Sequence, residues 1–111
     1  MRPAKFLAIL SLAPSALSFK IRAFSGDGCS GMAREVNVYD NTCADPVPTT
    51  RSFRVLAYGA GRQRAVFHKG STCIGQSGDR SFWADGGSND FLIDRCITLG
   101  YQAHAYGSRS S

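Results

Sequence analysis

The stretch "AFSGDGCSG", residues 23–31, is answered about forty residues later by "VFHKGSTCIG", residues 66–75. Each runs from an aromatic residue through small polar residues and glycines to Cys-x-Gly. Glycine clusters of this kind mark tight turns, because glycine adopts backbone angles closed to other residues. The likeness extends outward. "EVNVYDNTC" (35–43) and "DFLIDRC" (90–96) both read as an apolar strand ending at a second cysteine. "SFRVLAYG" (52–59) and "YQAHAYGS" (101–108) both read as a strand closing on Ala-Tyr-Gly. The chain therefore falls into two repeats, about 19–59 and 62–107, meeting near Gly59-Ala60-Gly61. A repeat of this length is one supersecondary unit used twice. A sheet-forming unit cannot bury its apolar face alone, so the two must pack together. A four-stranded Greek key is the natural unit.

The local pattern agrees. Apolar residues do not recur at the three-to-four spacing of a helix. Short alternating runs dominate instead: Phe19, Ile21 and Ala23 on one face of "FKIRAF", with Lys20 and Arg22 on the other. Val36 and Val38 alternate in "EVNVYD", and Phe53, Val55 and Ala57 in "SFRVLAYG". "RAVFH", "RSFWAD", "DFLID" and "YQAHAYG" continue the series. Short strands separated by Gly, Asp, Asn and Pro predict an all-β sandwich or barrel.

Residues 1–18 are read apart from this domain. "MRPAKFLAILSLAPSALS" has a basic start at Arg2 and Lys5, an apolar run from Phe6 to Leu12, and small residues at Ala16 and Ser18. That is the make-up of a secretory signal peptide. Its apolar run is shorter than the roughly 20 residues that span a bilayer. One domain, 19–111, follows, and no integral membrane segment is expected. It holds all four cysteines, Cys29, Cys43, Cys73 and Cys96. An even count in a small exported domain argues for two disulfides. A zinc site would call for a C-x-x-C pair, which the chain lacks. Beyond Ser18 the chain carries 11 basic and 8 acidic residues, a net charge of +3. Mild positive charge suits contact with anionic surfaces.

A resemblance becomes specific at this point. The pattern aromatic-x-x-x-x-aromatic-x-Gly marks the folded hairpin of βγ-crystallin Greek keys. Phe24 to Gly31 resembles it with Cys29 in place of the second aromatic, and Phe67 to Gly75 with one extra residue. This cysteine-containing form is similar to the small secreted βγ-crystallin-like antimicrobial and killer-toxin-like proteins, whose segments also resemble "CITLGYQAHAY". The resemblance implies a disulfide-stapled β-sandwich of two Greek-key motifs, each lending one strand to the other's sheet. It implies pairing of Cys29 with Cys96 and of Cys43 with Cys73, across the repeats. Pairing within repeats, Cys29–Cys43 and Cys73–Cys96, is the alternative. The hairpin glycines expected to take positive φ are Gly26, Gly28 and Gly31, then Gly70 and Gly75.

Candidate chemistry is sparse. His68, His104 and Glu35 would suit a ribonuclease, with one histidine as base and the other as acid. Such an enzyme expects a helix before the sheet, and a histidine between "RAVF" and "NDFLID", where "SGDRSFWADGGS" has none. Nucleophile motifs and phosphate loops do not occur. The crystallin calcium signature fails in "DNTCAD" and "NDFLID", so Asp40-Asn41 reads as turn chemistry. Trp83, Phe82 and Phe91 are assigned to the core. Arg62, Arg64, Phe67 and Lys69, beside the second hairpin, are the candidate binding surface. Catalytic residues, metal ligands and cofactors are not assigned.

The expected function is that of a secreted, monomeric toxin or effector-like protein, antimicrobial first. It would bind a microbial or host cell-surface component without catalysis; nucleic acid is not the expected partner. A host-directed virulence effector and a ribonuclease-like secreted enzyme are the alternatives. N-terminal sequencing of the exported protein is expected to begin at or within a few residues of Phe19; intact Met1 outside the cell would overturn the signal-peptide reading.

Overall fold

Alternation becomes burial in β1 (Ser18–Phe24), where Phe19, Ile21 and Ala23 are buried and Arg22 is exposed. The computed structural model describes residues 18–44 and 47–110; the expected export segment lies outside these, apart from its last residue, Ser18. Seven more strands follow: β2 (Ala33–Tyr39), β3 (Cys43–Ala44), β4 (Thr50–Ala57), β5 (Gln63–His68), β6 (Arg80–Trp83), β7 (Cys96–Ala103) and β8 (Ala105–Ser110). Among the described residues there is no helix, and hence none long and apolar enough to cross a membrane.

The strands form two antiparallel sheets of four. Sheet A has the order β2-β1-β4-β7 and sheet B the order β3-β8-β5-β6. The first half of the chain thus supplies three strands of sheet A and lends β3 to sheet B. The second half supplies three strands of sheet B and lends β7 to sheet A. Both disulfides fasten a loaned strand. Cys29, in the β1–β2 hairpin, is bonded to Cys96, the first residue of β7. Cys73, in the β5–β6 hairpin, is bonded to Cys43, the first residue of β3. The pairing across the halves is the one the resemblance implies.

The core between the sheets is aromatic. Phe53 stacks on Phe67 at 4.4 Å between ring centroids. Phe82 meets both edge-on at 5.8 Å, and Phe19 and Phe91 meet edge-on at 5.8 Å. Offset and edge-on rings add about 0.5–1.5 kcal/mol per pair beyond their buried area. Tyr106 is wholly buried among them. Its hydroxyl bonds to Thr50, whose own hydroxyl donates to the Pro48 carbonyl at 2.7 Å. Burial, against that hydrogen bond, pushes the Tyr106 phenol up to about 12.

Gln63 joins the parts. Its carboxamide Oε1 accepts from Ala60 N at 2.7 Å, while Nε2 donates to Ser108 Oγ at 2.6 Å and to Val38 O at 3.2 Å. One buried side chain therefore holds the linker, the first half and the second half. A Cβ on Gly59 would lie well inside contact distance of that Oε1, so the linker glycine answers to close approach.

Several expectations need correction. "DFLID" is not a strand. It belongs to the loop from 84 to 95 that drives Phe91 into the core and makes only an isolated parallel bridge, Val55 to Ile93. The strand of the second half that matches β2 is the short β6. The second cysteine of each half opens a strand instead of closing one, at Cys43 and Cys96. "YQAHAYG" is two strands: the chain leaves sheet A and enters sheet B at His104. The two Ala-Tyr-Gly segments are not equivalent, since Tyr58 follows β4 half-buried and Tyr106 sits inside β8. Gly28 and Gly31 take positive φ, but Gly26, Gly70 and Gly75 do not, and Gly78 (φ 90°) serves the second hairpin. Asn41 does adopt a turn conformation, at φ 59°.

The Cys43–Cys73 bridge spans 30 residues. In the chain-entropy account a loop of that length is worth about 3–4 kcal/mol. Replacing both cysteines by Ala is expected to lower unfolding free energy by about that amount in a urea titration. A loss under about 1 kcal/mol would mean that β3 is held in sheet B without its staple.

Candidate binding face

The two outer faces of the sandwich differ in how their cations are partnered. On sheet A, Lys20 and Arg22 of β1 both engage Glu35 of β2, at 3.1 and 2.8 Å. Those cations hold the exposed Glu35 carboxyl below its ordinary value, Arg22 first. Arg51 pairs with Asp27 at 3.0 Å. Lys20 and Arg22 thus share one carboxylate, while Arg54, opposite Arg22 on β4, donates to the Asp94 backbone carbonyl at 2.7 Å.

Sheet B is arranged differently. Gln63, Ala65 and Phe67 of β5 point inward and are buried, so Arg64 and Val66 point out. Arg64 lies opposite Arg109 on β8 and Trp83 on β6. The three side chains form a row across adjacent strands, roughly 10 Å wide at about 4.8 Å per strand. The Arg64 guanidinium sits over the Trp83 indole, 4.6 Å from its centroid. Among the described residues neither Arg64 nor Arg109 has a carboxylate within salt-bridge distance. Trp83 is 37% exposed. Phe82 and Phe91 are in the core as expected, but strand alternation turns Trp83 the other way, onto this face.

Of the expected surface candidates, Phe67 is a core ring and not a contact, being fully buried against Phe53. Arg62 and Lys69 are exposed but lie near opposite ends of β5. Arg64 and Lys69 are about 16 Å apart along the chain at strand rise. Lys69 turns instead over the Tyr101 ring at 5.3 Å and donates to Ser77 O at 3.2 Å. Only Arg64 belongs to the row. Arg109 and Trp83 were not legible as its neighbours, because the register of β5 with β6 and with β8 brings them there.

Beyond the row, the β5–β6 hairpin folds over the outer face and covers His68, the last residue of β5. The His68 and Asp79 side chains are only 6% and 5% exposed, with Nδ1 3.0 Å from Asp79 Oδ2. Asp79 also accepts from Lys69 N at 3.0 Å and from Gln76 N at 2.9 Å. Burial raises the Asp79 carboxyl, but these hydrogen bonds outweigh it and hold it below 3.8. An ionised carboxylate only accepts, so Nδ1 carries a proton. A cavity of about 220 Å³ opens beside the ring, lined by His68, Gly107, Arg109 and Cys73.

Glu35 and His68 lie on opposite outer faces of the sandwich. Of the three ribonuclease candidates, Glu35 is therefore not brought together with His68, whereas His104 donates its backbone N–H to His68 O at 2.9 Å. Two disulfides fit folding in an oxidising compartment. Comparison with family models, curated proteins and solved structures finds no match.

Asp79→Asn removes the charge and keeps one carbonyl acceptor, turning the other oxygen into a donor that faces a donor among Lys69 N, Gln76 N and His68 Nδ1. It is expected to cost about 1–3 kcal/mol near neutral pH. The native carboxyl is depressed below 3.8, so its contribution is full above that value and is lost as pH falls through the lower folded value. Urea titrations of wild type and variant should therefore differ near neutral pH and converge in strong acid. A constant difference would mean that the Asp79 charge is not what holds the hairpin.

Proposed function

We propose that the chain is a secreted, disulfide-stapled βγ-crystallin-like protein of two Greek keys, toxin- or effector-like and antimicrobial, that binds an anionic cell surface through the outer face of sheet B. The observation that carries this is the row Arg109–Arg64–Trp83 across three paired strands, with neither guanidinium within salt-bridge distance of a carboxylate among the described residues. Two guanidiniums beside an exposed indole offer charge, forked hydrogen bonding and a stacking surface within one footprint. Polysaccharide acids and phosphorylated polymers present the matching features.

The strand order supports the fold reading. In each sheet the second, first and fourth strands of one half are followed by the third strand of the other, as interlocked Greek keys require. The folded first hairpin supports it too. Ser52 of β4, wholly buried, accepts from Cys29 N at 2.8 Å and donates to Gly26 O at 2.5 Å, pinning the hairpin over the sheet end. Export supports the oxidised state of all four cysteines.

The contact rests on exposed charge, so association with an anionic cell wall or vesicle should weaken steeply as salt approaches about 1 M, where screening falls to roughly 3 Å. Arg64→Ala and Trp83→Ala are surface changes, expected to alter stability by about 0.5 kcal/mol. Each should weaken binding and growth inhibition by about three- to tenfold, the effect of about 0.7–1.4 kcal/mol. Lys20→Ala, on the outer face of sheet A and paired with Glu35, should leave both unchanged. If Lys20→Ala and Arg64→Ala behave alike, the contact is diffuse charge and not this row.

A further inference from the structure

The cavity beside His68 exists because Gly107 has no side chain. A Cβ there would stand 2.8 Å from His68 Nε2 and 3.5 Å from Cys73 Sγ. Gly107 therefore leaves open the floor between the histidine and the disulfide, with Arg109 two residues along the same strand at the rim. Asp79 fixes the ring from behind. Since Asp79 holds the Nδ1 proton, the neutral ring presents a bare Nε2 to this space, and the protonated ring presents an N–H donor. At about 220 Å³ the cavity is smaller than the roughly 300–1,000 Å³ of pockets for drug-sized ligands, so it takes a small group.

We propose that this cavity is a proton-coupled subsite for a tetrahedral oxyanion, a sulfate or phosphate ester, held between the Arg109 guanidinium and His68 Nε2. The anion enters as a proton from solvent adds to Nε2, which turns an acceptor that would repel it into a charged donor. Arg109 supplies a permanent fork for the other oxygens. The inference deepens the proposed binding role by naming the ligand's chemistry, and it rests on that reading only for the wider footprint.

Other ionisable groups pack around the ring. Asp79 and Lys69 belong to the hairpin and Arg109 to β8. Arg80 and Tyr101 meet at the Phe67 carbonyl side, with Arg80 N donating to Tyr101 Oη at 2.9 Å and Tyr101 Oη donating to Phe67 O at 2.6 Å. His104 donates its backbone N–H to His68 O at 2.9 Å. Asp79 is shifted down, and burial shifts Tyr101 up, so neither changes charge near neutrality. His104 is the second histidine beside His68, and a His104→Gln control separates the two.

The probe is inorganic sulfate, which keeps its charge throughout. Calorimetry in two buffers of different ionisation enthalpy should show proton uptake on binding. Affinity should rise about tenfold from about pH 8 to about pH 5, in wild type and in His104→Gln alike. At fixed pH, sulfate should move the His68 Cε1–H resonance toward its acid position; this readout needs no variant. Arg109→Gln should weaken binding at both pH values, and Gly107→Ala, which fills the floor, should abolish it. Dextran sulfate and phosphatidate vesicles, each competed with free sulfate, tell whether the ester is carried by a polysaccharide or a lipid. Displacement from either carries the proposal. Sulfate binding without proton uptake and without a His68 shift overturns it. Loss of the Arg64 and Trp83 effects on surface binding, with the sulfate titration intact, would instead overturn the wider footprint alone.

Discussion

Everything in this molecule depends on the exchange of third strands between its halves. Sheet A ends with β7 from the second half and sheet B ends with β3 from the first. Neither half holds a complete sheet, so neither can cover the aromatic core by itself. β3 is two residues long, which gives it few ladder hydrogen bonds of its own. The Cys43–Cys73 bond supplies what so short an edge cannot. The longer β7 has a second lock besides its disulfide: Arg80 of β6 donates to Thr98 O at 2.8 Å and reaches Leu99 O at 3.4 Å. Covalent and polar ties thus fall where a small domain's core is thinnest.

The repeat and the alternation were legible because they record two physical demands, turn backbone and one-sided burial. Phe19, Ile21 and Ala23 could be placed from spacing alone. Phe67 was assigned to the surface because it stands in a basic stretch, yet strand period put it inward with Ala65. Trp83 was assigned to the core because it is large and apolar, and the same period put it outward beside Phe82. In both cases neighbourhood in sequence lost to the two-residue period. "DFLID" misled for another reason. Its apolar content is that of a strand, but one residue, Phe91, plugs the core from a loop.

The site was less legible still. Arg109, Arg64 and Trp83 are spread over 46 residues of sequence and meet only through register. Asp79 and His68 are eleven apart and are joined by the folding of a hairpin. Gly107 reads as one glycine of a repeated Ala-Tyr-Gly, yet its role differs from that of Gly59. At Gly59 the missing side chain admits the Gln63 carboxamide; at Gly107 it leaves space open to solvent. The repeat preserved the residue while the two surroundings diverged.

The outer bridge also changes what a protease can accomplish. Cys29 and Cys96 are joined across 67 residues of chain. A single cut at any peptide bond between them leaves one covalent molecule, with both fragments still tethered at the hairpin tip and the start of β7. The exposed β5–β6 hairpin and the long 84–95 loop are both inside that span. They are the segments an attacking enzyme would reach first. A nicked chain would keep both sheets seated on the same aromatic core, so the outer face of sheet B can lie open to solvent without the molecule depending on an unbroken backbone there.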